Sequence, residues 1–176
     1  MTDGTAARLI TELTRSIPDF PQAGILFRDL TPVFADGPAL HAVTQALVEP
    51  FRGQIDAVAG VEARGFLLSA TAAYELGIGT LLIRKPGKLP GPVLSRSYDL
   101  EYGSASLEVQ PADLPPGSRV LLVDDVLATG GTLAAGAALI AEAGWVVAGI
   151  SVVLELEALA GRSKLAGQSI RSLVAL

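Results

Sequence analysis

The sequence predicts an α/β domain whose central sheet is mostly parallel, with helices on both faces. Three short apolar runs, at 55–60, 80–83 and 119–124, are typical of strands buried inside such a sheet. Stretches of helical character follow the first run, from residue 65 to 76, and the last, from 131 to 143. Strands that alternate with helices build βαβ units, and their crossover helices cover both faces of a parallel sheet.

The N-terminal part of the chain departs from this alternation. Apolar residues recur at every fourth position through 5–16, which predicts an amphipathic helix that ends before Pro18. A second helix is expected over 38–50. Residues 1–35 lie outside the alternation, so they are expected to form a small N-terminal hood over a core of 36–176. We expect one domain overall, because 176 residues is an ordinary length for a single domain.

Residues 86–105 interrupt the alternation with three prolines and three glycines. This density of helix and strand breakers in the middle of a domain predicts a long, flexible lid loop. An alternating segment at 106–110 is expected to return from it as a strand, and residues 115–117 to form a turn. A last apolar run at 145–154 follows the helix at 131–143 and would complete a βαβ unit.

Composition excludes several classes of function. The chain has no cysteine, which rules out disulfides and thiolate chemistry, and its one histidine, His41, is expected in a surface or packing role. A net charge of −5 argues against nucleic-acid binding, which usually needs a basic surface. The longest uncharged apolar stretch, Trp145–Leu154, is shorter than the about 20 residues that span a bilayer, and no secretory signal is evident. We therefore expect a cytoplasmic protein with no membrane or nucleic-acid partner.

Basic residues are concentrated in one place although the chain is acidic overall. Four of the thirteen lysines and arginines, Arg84, Lys85, Lys88 and Arg96, fall in or beside the expected lid. They are either solvated surface charges or ligands of an anion, and their clustering beside Pro-Gly dipeptides favours an anionic ligand.

The nine residues from Asp124 to Thr132, with the sequence DDVLATGGT, carry the clearest functional signal. They join a buried strand to a helix, so the small residues can present backbone N–H groups to an anion at a helix N-terminus. Because the two carboxylates would repel a phosphate, their natural partners are sugar hydroxyls, directly or beside a phosphate-bound metal. The alternative is an acidic pair that caps the next helix. Leu133 follows Thr132 and no lysine is near, which excludes a P-loop nucleotide site.

This motif is similar to the phosphoribosyl-pyrophosphate signature of the type I phosphoribosyltransferases. The resemblance runs from about Ile17 to Leu156, and it implies the type I phosphoribosyltransferase fold. Five further segments stand in the order found in the adenine phosphoribosyltransferase family, namely Pro18–Pro21, Gly24–Asp29, Glu62–Phe66, Arg84–Pro90 and Ser97–Gly103. The resemblance therefore implies purine salvage, in which a phosphoribosyl group passes from phosphoribosyl pyrophosphate to adenine, giving AMP and pyrophosphate.

The resemblance also implies which residues bind each part of the phosphoribosyl donor. It implies that Arg84 can reach the pyrophosphate from a neighbouring subunit. It also implies a non-proline cis peptide around Ala63. The residues so assigned are Ala128, Thr129, Gly130, Gly131 and Thr132 for the 5′-phosphate, Asp124 and Asp125 for the ribose, and Arg64, Arg84 and Lys88 for the pyrophosphate.

Adenine recognition and proton transfer fall to two other segments. The backbone C=O and N–H of Leu26 would match the amino group and ring nitrogen of adenine, Phe27 would stack on the purine, and Arg28 would reach another ring nitrogen, oriented by Asp29. Without the resemblance, Phe27 reads as core and Arg28–Asp29 as a local ion pair. Glu101 would be the catalytic group that handles the proton on the base. Tyr102 would brace the lid, and the alternative for both residues is an exposed hairpin.

Mg²⁺ is the expected cofactor, carried by the substrate through waters rather than by a dedicated protein cage. The family is dimeric, so a homodimer is expected. Two other functions compete with adenine transfer: transfer to a different base, and a ligand-sensing regulator that keeps the fold but binds nucleic acid. The chain departs from the family over 157–176, which lack the expected aromatic-containing strand, although 169–173 could still pair as an edge strand.

Overall fold

A five-stranded parallel sheet forms the centre of the molecule in the computed structural model, which describes residues 2–99 and 104–176. From one edge to the other its strands are Gly79–Ile83, Ala57–Val61, Arg119–Leu127, Val146–Glu155 and Ile170–Ala175, and every neighbouring pair runs parallel. The elements in chain order are α1 Thr2–Leu13, β1 Arg15–Pro18, β2 Leu26–Asp29, α2 Thr31–Ala35, α3 Gly37–Val48, β3 Ala57–Val61, α4 Arg64–Leu76, β4 Gly79–Ile83, β5 Leu94–Asp99, β6 Ser104–Val109, β7 Arg119–Leu127, α5 Gly131–Glu142, β8 Val146–Glu155 and β9 Ile170–Ala175. Short 3₁₀ turns occupy Glu49–Phe51, Glu157–Leu159 and Gly161–Leu165.

Both faces of the sheet are buried, as the sequence predicts. On β7, Leu121 and Val123 pack with α1, α3 and α4 in one apolar cluster. Val120 and Leu122 point to the other face and pack with α5 and with β6. The side chains alternate because successive residues of a strand face opposite sides of the sheet. The expected α/β class with helices on both faces is confirmed.

The first helix spans Thr2–Leu13, so it begins and ends three residues earlier than the predicted 5–16. The helix ends at Leu13, and Arg15–Pro18 instead pairs antiparallel with Leu26–Asp29 as a hairpin. Ile17 fits the helical spacing of the leucines before it, yet it pairs with Phe27 across the hairpin. Local periodicity could not reveal this, since the competing interaction comes from a strand ten residues further along the chain.

Part of the predicted lid is ordered as a strand pair. Leu94–Asp99 pairs antiparallel with Ser104–Val109, with Asp99 opposite Ser104. The prediction of a return strand at 106–110 is therefore confirmed with an earlier start, whereas its partner β5 was not foreseen. Opening and closing of this segment stays a prediction, as does the division of the chain into hood and core at residue 35.

The C-terminal segment completes the sheet despite its unusual sequence. Ile170–Ala175 pairs parallel with β8 as an edge strand, close to the span 169–173 where such a strand was expected. None of the helices within 2–99 and 104–176 combines the length and apolar character needed to cross a bilayer.

A buried serine in the central sheet offers a test of the packing. Ser151 on β8 is fully buried, and within the described ranges its hydroxyl has no hydrogen-bond partner. Since an unpaired buried hydroxyl is unfavourable, Ser151→Ala is expected to leave the free energy of unfolding unchanged or to raise it by up to about 1 kcal/mol in urea titrations. The matched control is Ser118→Ala, which removes a 2.6 Å hydrogen bond to the Pro115 carbonyl and should lower that free energy. An equal loss in both variants would contradict the prediction.

Candidate active site

One cavity of about 480 Å³ opens at the carboxyl ends of the central strands. This is the edge where parallel α/β sheets bind ligands, and the volume suits a small molecule. The pairing of β7 with β3 ends at Val123, whereas its pairing with β8 continues to Leu127. The last part of β7 therefore has a free side toward the cavity. Four segments contribute most of the lining, namely 25–28, 61–64, 124–133 and Leu156.

The loop from Ala128 to Gly130 joins β7 to α5, as the sequence predicts for a phosphate site. Gly130 has a left-handed backbone with φ of 78° at the start of α5, a conformation that favours glycine. The small side chains leave the backbone accessible, and the whole segment through Thr132 borders the cavity. Its position at the N-terminus of a twelve-residue helix suits an anion.

The two carboxylates lie within β7 rather than after its end, because the strand runs on to Leu127 instead of stopping at residue 124. Both border the cavity, and Asp125 is almost fully buried. The Asp125 backbone N–H donates to Asp124 Oδ1 over 2.9 Å. Burial raises the pKa of Asp124 well above its ordinary value, and the neighbouring Asp125 carboxylate raises it further. Burial also raises the pKa of Asp125, although the Arg64 guanidinium opposes that shift.

Arg64 connects the buried carboxylate to the aromatic side of the cavity. Its Nε lies 2.7 Å from Asp125 Oδ2, and its guanidinium carbon lies 5.8 Å from the centroid of the Phe27 ring. Asp125 Oδ2 has no aligned hydrogen-bond donor within the described residues, so this contact is an ion pair without a directed N–H. Asp125 Oδ2 is itself buried, so the Arg64 guanidinium is the group that compensates its charge.

The loop between β3 and α4 has the expected unusual backbone. The peptide bond between Glu62 and Ala63 is cis, at the position where the resemblance implied one. The Glu62 carboxylate accepts the Lys85 backbone N–H over 3.0 Å and lies 3.3 Å from Arg84 Nε. These contacts, with the Lys85 N–H first, lower the pKa of Glu62. They tie the loop between β3 and α4 to the start of the basic segment.

Of the three residues expected to bind pyrophosphate, Arg64 lines the cavity of its own chain, whereas Arg84 and Lys88 do not. Arg84 packs over the Phe66 ring and donates to the Lys88 carbonyl over 3.0 Å, and neither Arg84 nor Lys88 is among the lining residues. Lys85 does line the cavity. The sequence analysis places Lys85 in the basic cluster but assigns it no role. That cluster was the available signal that Lys85 lies at the site.

The predicted adenine segment borders the cavity with Leu26, Phe27 and Arg28. The Phe27 ring meets that of Phe20 edge-on at 5.1 Å, and one side of Phe27 faces Arg64. Phe27 is only half-buried, so the alternative of a core residue does not hold.

Asp29 does not orient Arg28, which corrects the sequence-based expectation. Arg28 donates to the Ser16 hydroxyl, whereas Asp29 lies 2.7 Å from Arg15 and accepts from the Thr31 backbone. Adjacent residues on β2 point to opposite faces, so a direct pairing is disfavoured. The Thr31 hydrogen bonds and Arg15 lower the pKa of Asp29.

Glu101 and Tyr102 lie outside the described residues, so their roles stay predictions. The nearby hairpin does reach the cavity, because Tyr98 lines it and its hydroxyl lies 3.4 Å from Thr132 Oγ1. Leu156, just after β8, also lines the cavity. Neither Tyr98 nor Leu156 was predicted as a site residue. Tyr98 falls in the segment Ser97–Gly103 that carries the resemblance, which was the available signal, whereas Leu156 has none.

Comparison with known proteins agrees with this geometry. Residues 38–167 match the family model described as the phosphoribosyl transferase domain. The adenine phosphoribosyltransferase of Clavibacter michiganensis is 61% identical over 176 residues, covering 100% of both chains. The crystal structure of the enzyme of that name from Thermoanaerobacter pseudethanolicus has a TM-score of 0.92 and 46% identity, covering 97% of this chain and 99% of the other. A Saccharomyces cerevisiae structure, complexed with an imino-altritol bisphosphate and adenine, has a TM-score of 0.91 and 37% identity, covering 97% and 99%.

The parallel sheet, the loop Ala128–Gly130 at its edge and the matched domain define a phosphoribosyltransferase. Within that class, the chain belongs to the adenine phosphoribosyltransferase family.

Proposed function

We propose that this chain transfers the 5-phosphoribosyl group from phosphoribosyl pyrophosphate to adenine, giving AMP and pyrophosphate. The observation that carries the proposal is a cavity bordered by four segments. These are the phosphate loop (128–132), the acidic pair (Asp124 and Asp125), the pyrophosphate loop (62–64) and the segment 25–28. Relatives that align over the full length are named adenine phosphoribosyltransferase, and the Saccharomyces cerevisiae enzyme of that name was crystallised with adenine.

The phosphate loop and the acidic pair bind different parts of phosphoribosyl pyrophosphate. The N–H groups of 128–131 and the hydroxyls of Thr129 and Thr132 bind the 5′-phosphate. Asp124 and Asp125 accept hydrogen bonds from the ribose hydroxyls, and their position in the cavity lining supports that role. Their negative charge also stabilises the cationic character that develops on the ribose as pyrophosphate leaves. Arg64 binds the pyrophosphate, with Lys88 and, across a subunit boundary, Arg84.

The segment 25–28 recognises the base. The backbone of Leu26 offers a C=O and an N–H in the order that adenine matches, whereas a 6-oxo purine presents the reverse pattern and would leave buried groups unpaired. Phe27 stacks on the purine and Arg28 contacts a further ring nitrogen. Glu101 removes the proton from the attacking ring nitrogen, and Tyr102 braces the lid that excludes water.

Members of the phosphoribosyltransferase family use a metal ion with phosphoribosyl pyrophosphate, and we propose Mg²⁺ for this chain. Within 2–99 and 104–176 no three His, Asp or Glu side chains gather as a metal-binding cluster. The pair Asp124 and Asp125 nevertheless suits a metal that arrives on the substrate, because a nearby cation relieves the cost of ionising both. A bound Mg²⁺ would neutralise charge on the pyrophosphate.

A homodimer is part of the proposal, since Arg84 and Lys88 do not line the cavity of their own chain. An apolar surface is available beside them. Leu67 and Tyr74, which lie on the same side of α4, are 52% and 90% exposed, and Leu82 on β4 is 38% exposed. Light scattering of the protein and of a Tyr74→Asp variant tests this, and a monomeric wild type would contradict it. The expected cytoplasmic location also stays a prediction.

A transfer assay with a panel of bases tests the proposed function. Protein, phosphoribosyl pyrophosphate and Mg²⁺ are incubated with adenine, hypoxanthine, guanine, xanthine or orotate, and nucleotide and pyrophosphate are measured. AMP from adenine alone is expected. Product from a 6-oxo base would overturn the reading of 25–28 but keep the phosphate site. Binding of phosphoribosyl pyrophosphate without product from any base would favour the alternative of a ligand-sensing regulator that binds nucleic acid. A measurement of salt-dependent DNA binding would then test that alternative.

Arg64→Ala is expected to lower kcat/KM for phosphoribosyl pyrophosphate about 100-fold or more, because it removes a bidentate cation from the pyrophosphate and leaves Asp125 buried without its partner. Arg64→Lys should restore only part of the loss. Arg96→Ala is the matched control, since Arg96 is half-exposed and its only described ion pair is 3.8 Å long. Comparable kinetics in the Arg64→Ala and Arg96→Ala variants would contradict the assignment.

A further inference from the structure

The phosphate loop is backed, on the side away from the ligand, by a turn from the C-terminal part of the chain. A Cβ placed on Gly161 would lie 2.1 Å from the Ala128 carbonyl oxygen and 2.8 Å from Leu127 Cδ1. A Cβ placed on Gly130 would lie 2.3 Å from the Gly161 carbonyl oxygen. The two backbones are therefore in direct contact at two points, and neither leaves room for even a methyl group.

The turn that carries Gly161 is fixed by the residue that follows it. Arg162 binds the nearly buried Glu155 through two hydrogen bonds of 2.7 Å, from Nε and from Nη2. Its Nη2 also donates to the Ser172 hydroxyl over 2.7 Å, and its Nη1 to the Ile170 carbonyl over 3.2 Å. A guanidinium with this many partners on two strands has little freedom, so the position of its neighbour Gly161 is determined.

The anchor of this turn is linked to the strand from which the phosphate loop emerges. Glu155 lies opposite Leu127 in the pairing of β8 with β7, and the Leu156 N–H donates to the Leu127 carbonyl over 2.9 Å. The loop is thus held at its base by β8 and from behind by Gly161. Arg162 itself does not line the cavity.

We propose that Gly161 and Arg162 position the 5′-phosphate loop, with Arg162 acting through Gly161 and not by contact with the ligand. This inference rests on the proposed function, because it assigns the loop to the phosphate of phosphoribosyl pyrophosphate. The loop binds through several backbone N–H groups at once, so a small displacement misaligns all of them together. Glu155, Arg162 and Ser172 are positioning residues that hold the contact from outside the cavity.

The first test is Gly161→Ala. The φ angle of Gly161 is not left-handed, so alanine is allowed by the backbone and the clash with Ala128 is its main effect. KM for phosphoribosyl pyrophosphate is expected to rise about 10- to 100-fold, the scale of a 1 Å misplacement, with KM for adenine nearly unchanged. The matched control is Gly149→Ala on β8, whose Cβ would lie 2.5 Å from the Phe51 ring and far from the loop in sequence. It should lower Tm without changing KM.

Variants of Arg162 provide an independent test if Gly161→Ala does not fold. Arg162→Ala should raise KM for phosphoribosyl pyrophosphate in the same way, and Arg162→Lys should restore part of the loss, because lysine keeps the charge but not the fork of two hydrogen bonds. The result that overturns the proposal is a lowered Tm in the Gly161 and Arg162 variants with KM no different from that of Gly149→Ala.

Failure of the proposed function would show itself separately, as a wild type that makes no AMP. The thermal shift produced by ribose 5-phosphate then replaces KM as the measurement. A shift that is present in wild type and Gly149→Ala but lost in Gly161→Ala supports the positioning role. A shift retained in Gly161→Ala, or absent from the wild type, overturns it.

Discussion

Glu101→Gln is expected to lower kcat for AMP formation about 100- to 10,000-fold, the usual contribution of a positioned general base. Glutamine keeps the shape of the side chain but cannot accept the proton of the attacking ring nitrogen. KM for phosphoribosyl pyrophosphate should change little, because the proposed binding groups for the donor are the phosphate loop and Arg64. In sequence, Glu101 falls between the paired residues Asp99 and Ser104 of a hairpin whose Tyr98 borders the cavity.

The pH dependence of kcat separates proton transfer from a structural role. Wild-type kcat should rise with pH as the general base ionises, and this acid limb should disappear in Glu101→Gln. Glu142→Gln is the matched control, since Glu142 is an exposed residue of α5 whose described ion pair, to Arg96, is 3.8 Å long. If Glu101→Gln keeps both its kcat and its acid limb, another group manages the proton.

The centre of the site could be predicted from the sequence because it is local. The run from Asp124 to Thr132 contains the end of a strand, a tight loop and the start of a helix, and all three are encoded within nine residues. The same holds for the cis peptide at Ala63, which the resemblance implied from a short segment. The cavity brings these segments together at one edge of the sheet, as parallel topology requires.

Contacts between distant segments were beyond the reach of the sequence. The apposition of Gly161 and Ala128 joins residues that no periodicity connects, and Arg64 contacts Phe27 across the cavity mouth. The expectation that Asp29 orients Arg28 is wrong, because the strand sends the two side chains to different partners, Arg15 and Ser16. The hairpin of β1 with β2 and the extension of β7 to Leu127 likewise depend on neighbouring strands.

Asp124→Asn is expected to stabilise the free protein while it abolishes most of the activity. Burial and the adjacent Asp125 raise the pKa of Asp124, so its ionised form is unfavourable in the folded state without ligand. Asparagine removes that charge and can still accept the Asp125 N–H. The free energy of unfolding at pH 7 should therefore rise. The transfer rate should fall about 100-fold or more, because a charge facing the developing ribosyl cation is lost.

The pH dependence of stability has a definite sign in this prediction. A carboxyl whose folded pKa is raised binds its proton more tightly in the folded state, so its contribution to stability is greatest below about pH 4, the unfolded pKa, and falls as pH rises through the folded pKa. Urea titrations should show this fall in wild type and its loss in Asp124→Asn. Asp56→Asn is the control of opposite sign, because hydrogen bonds from Arg119 lower the pKa of Asp56 to about 2. That variant should be less stable at neutral pH, and its difference from wild type should shrink as pH falls from 4 toward 2. A destabilised Asp124→Asn at pH 7 would mean that the charge of the pair is already compensated in the free protein.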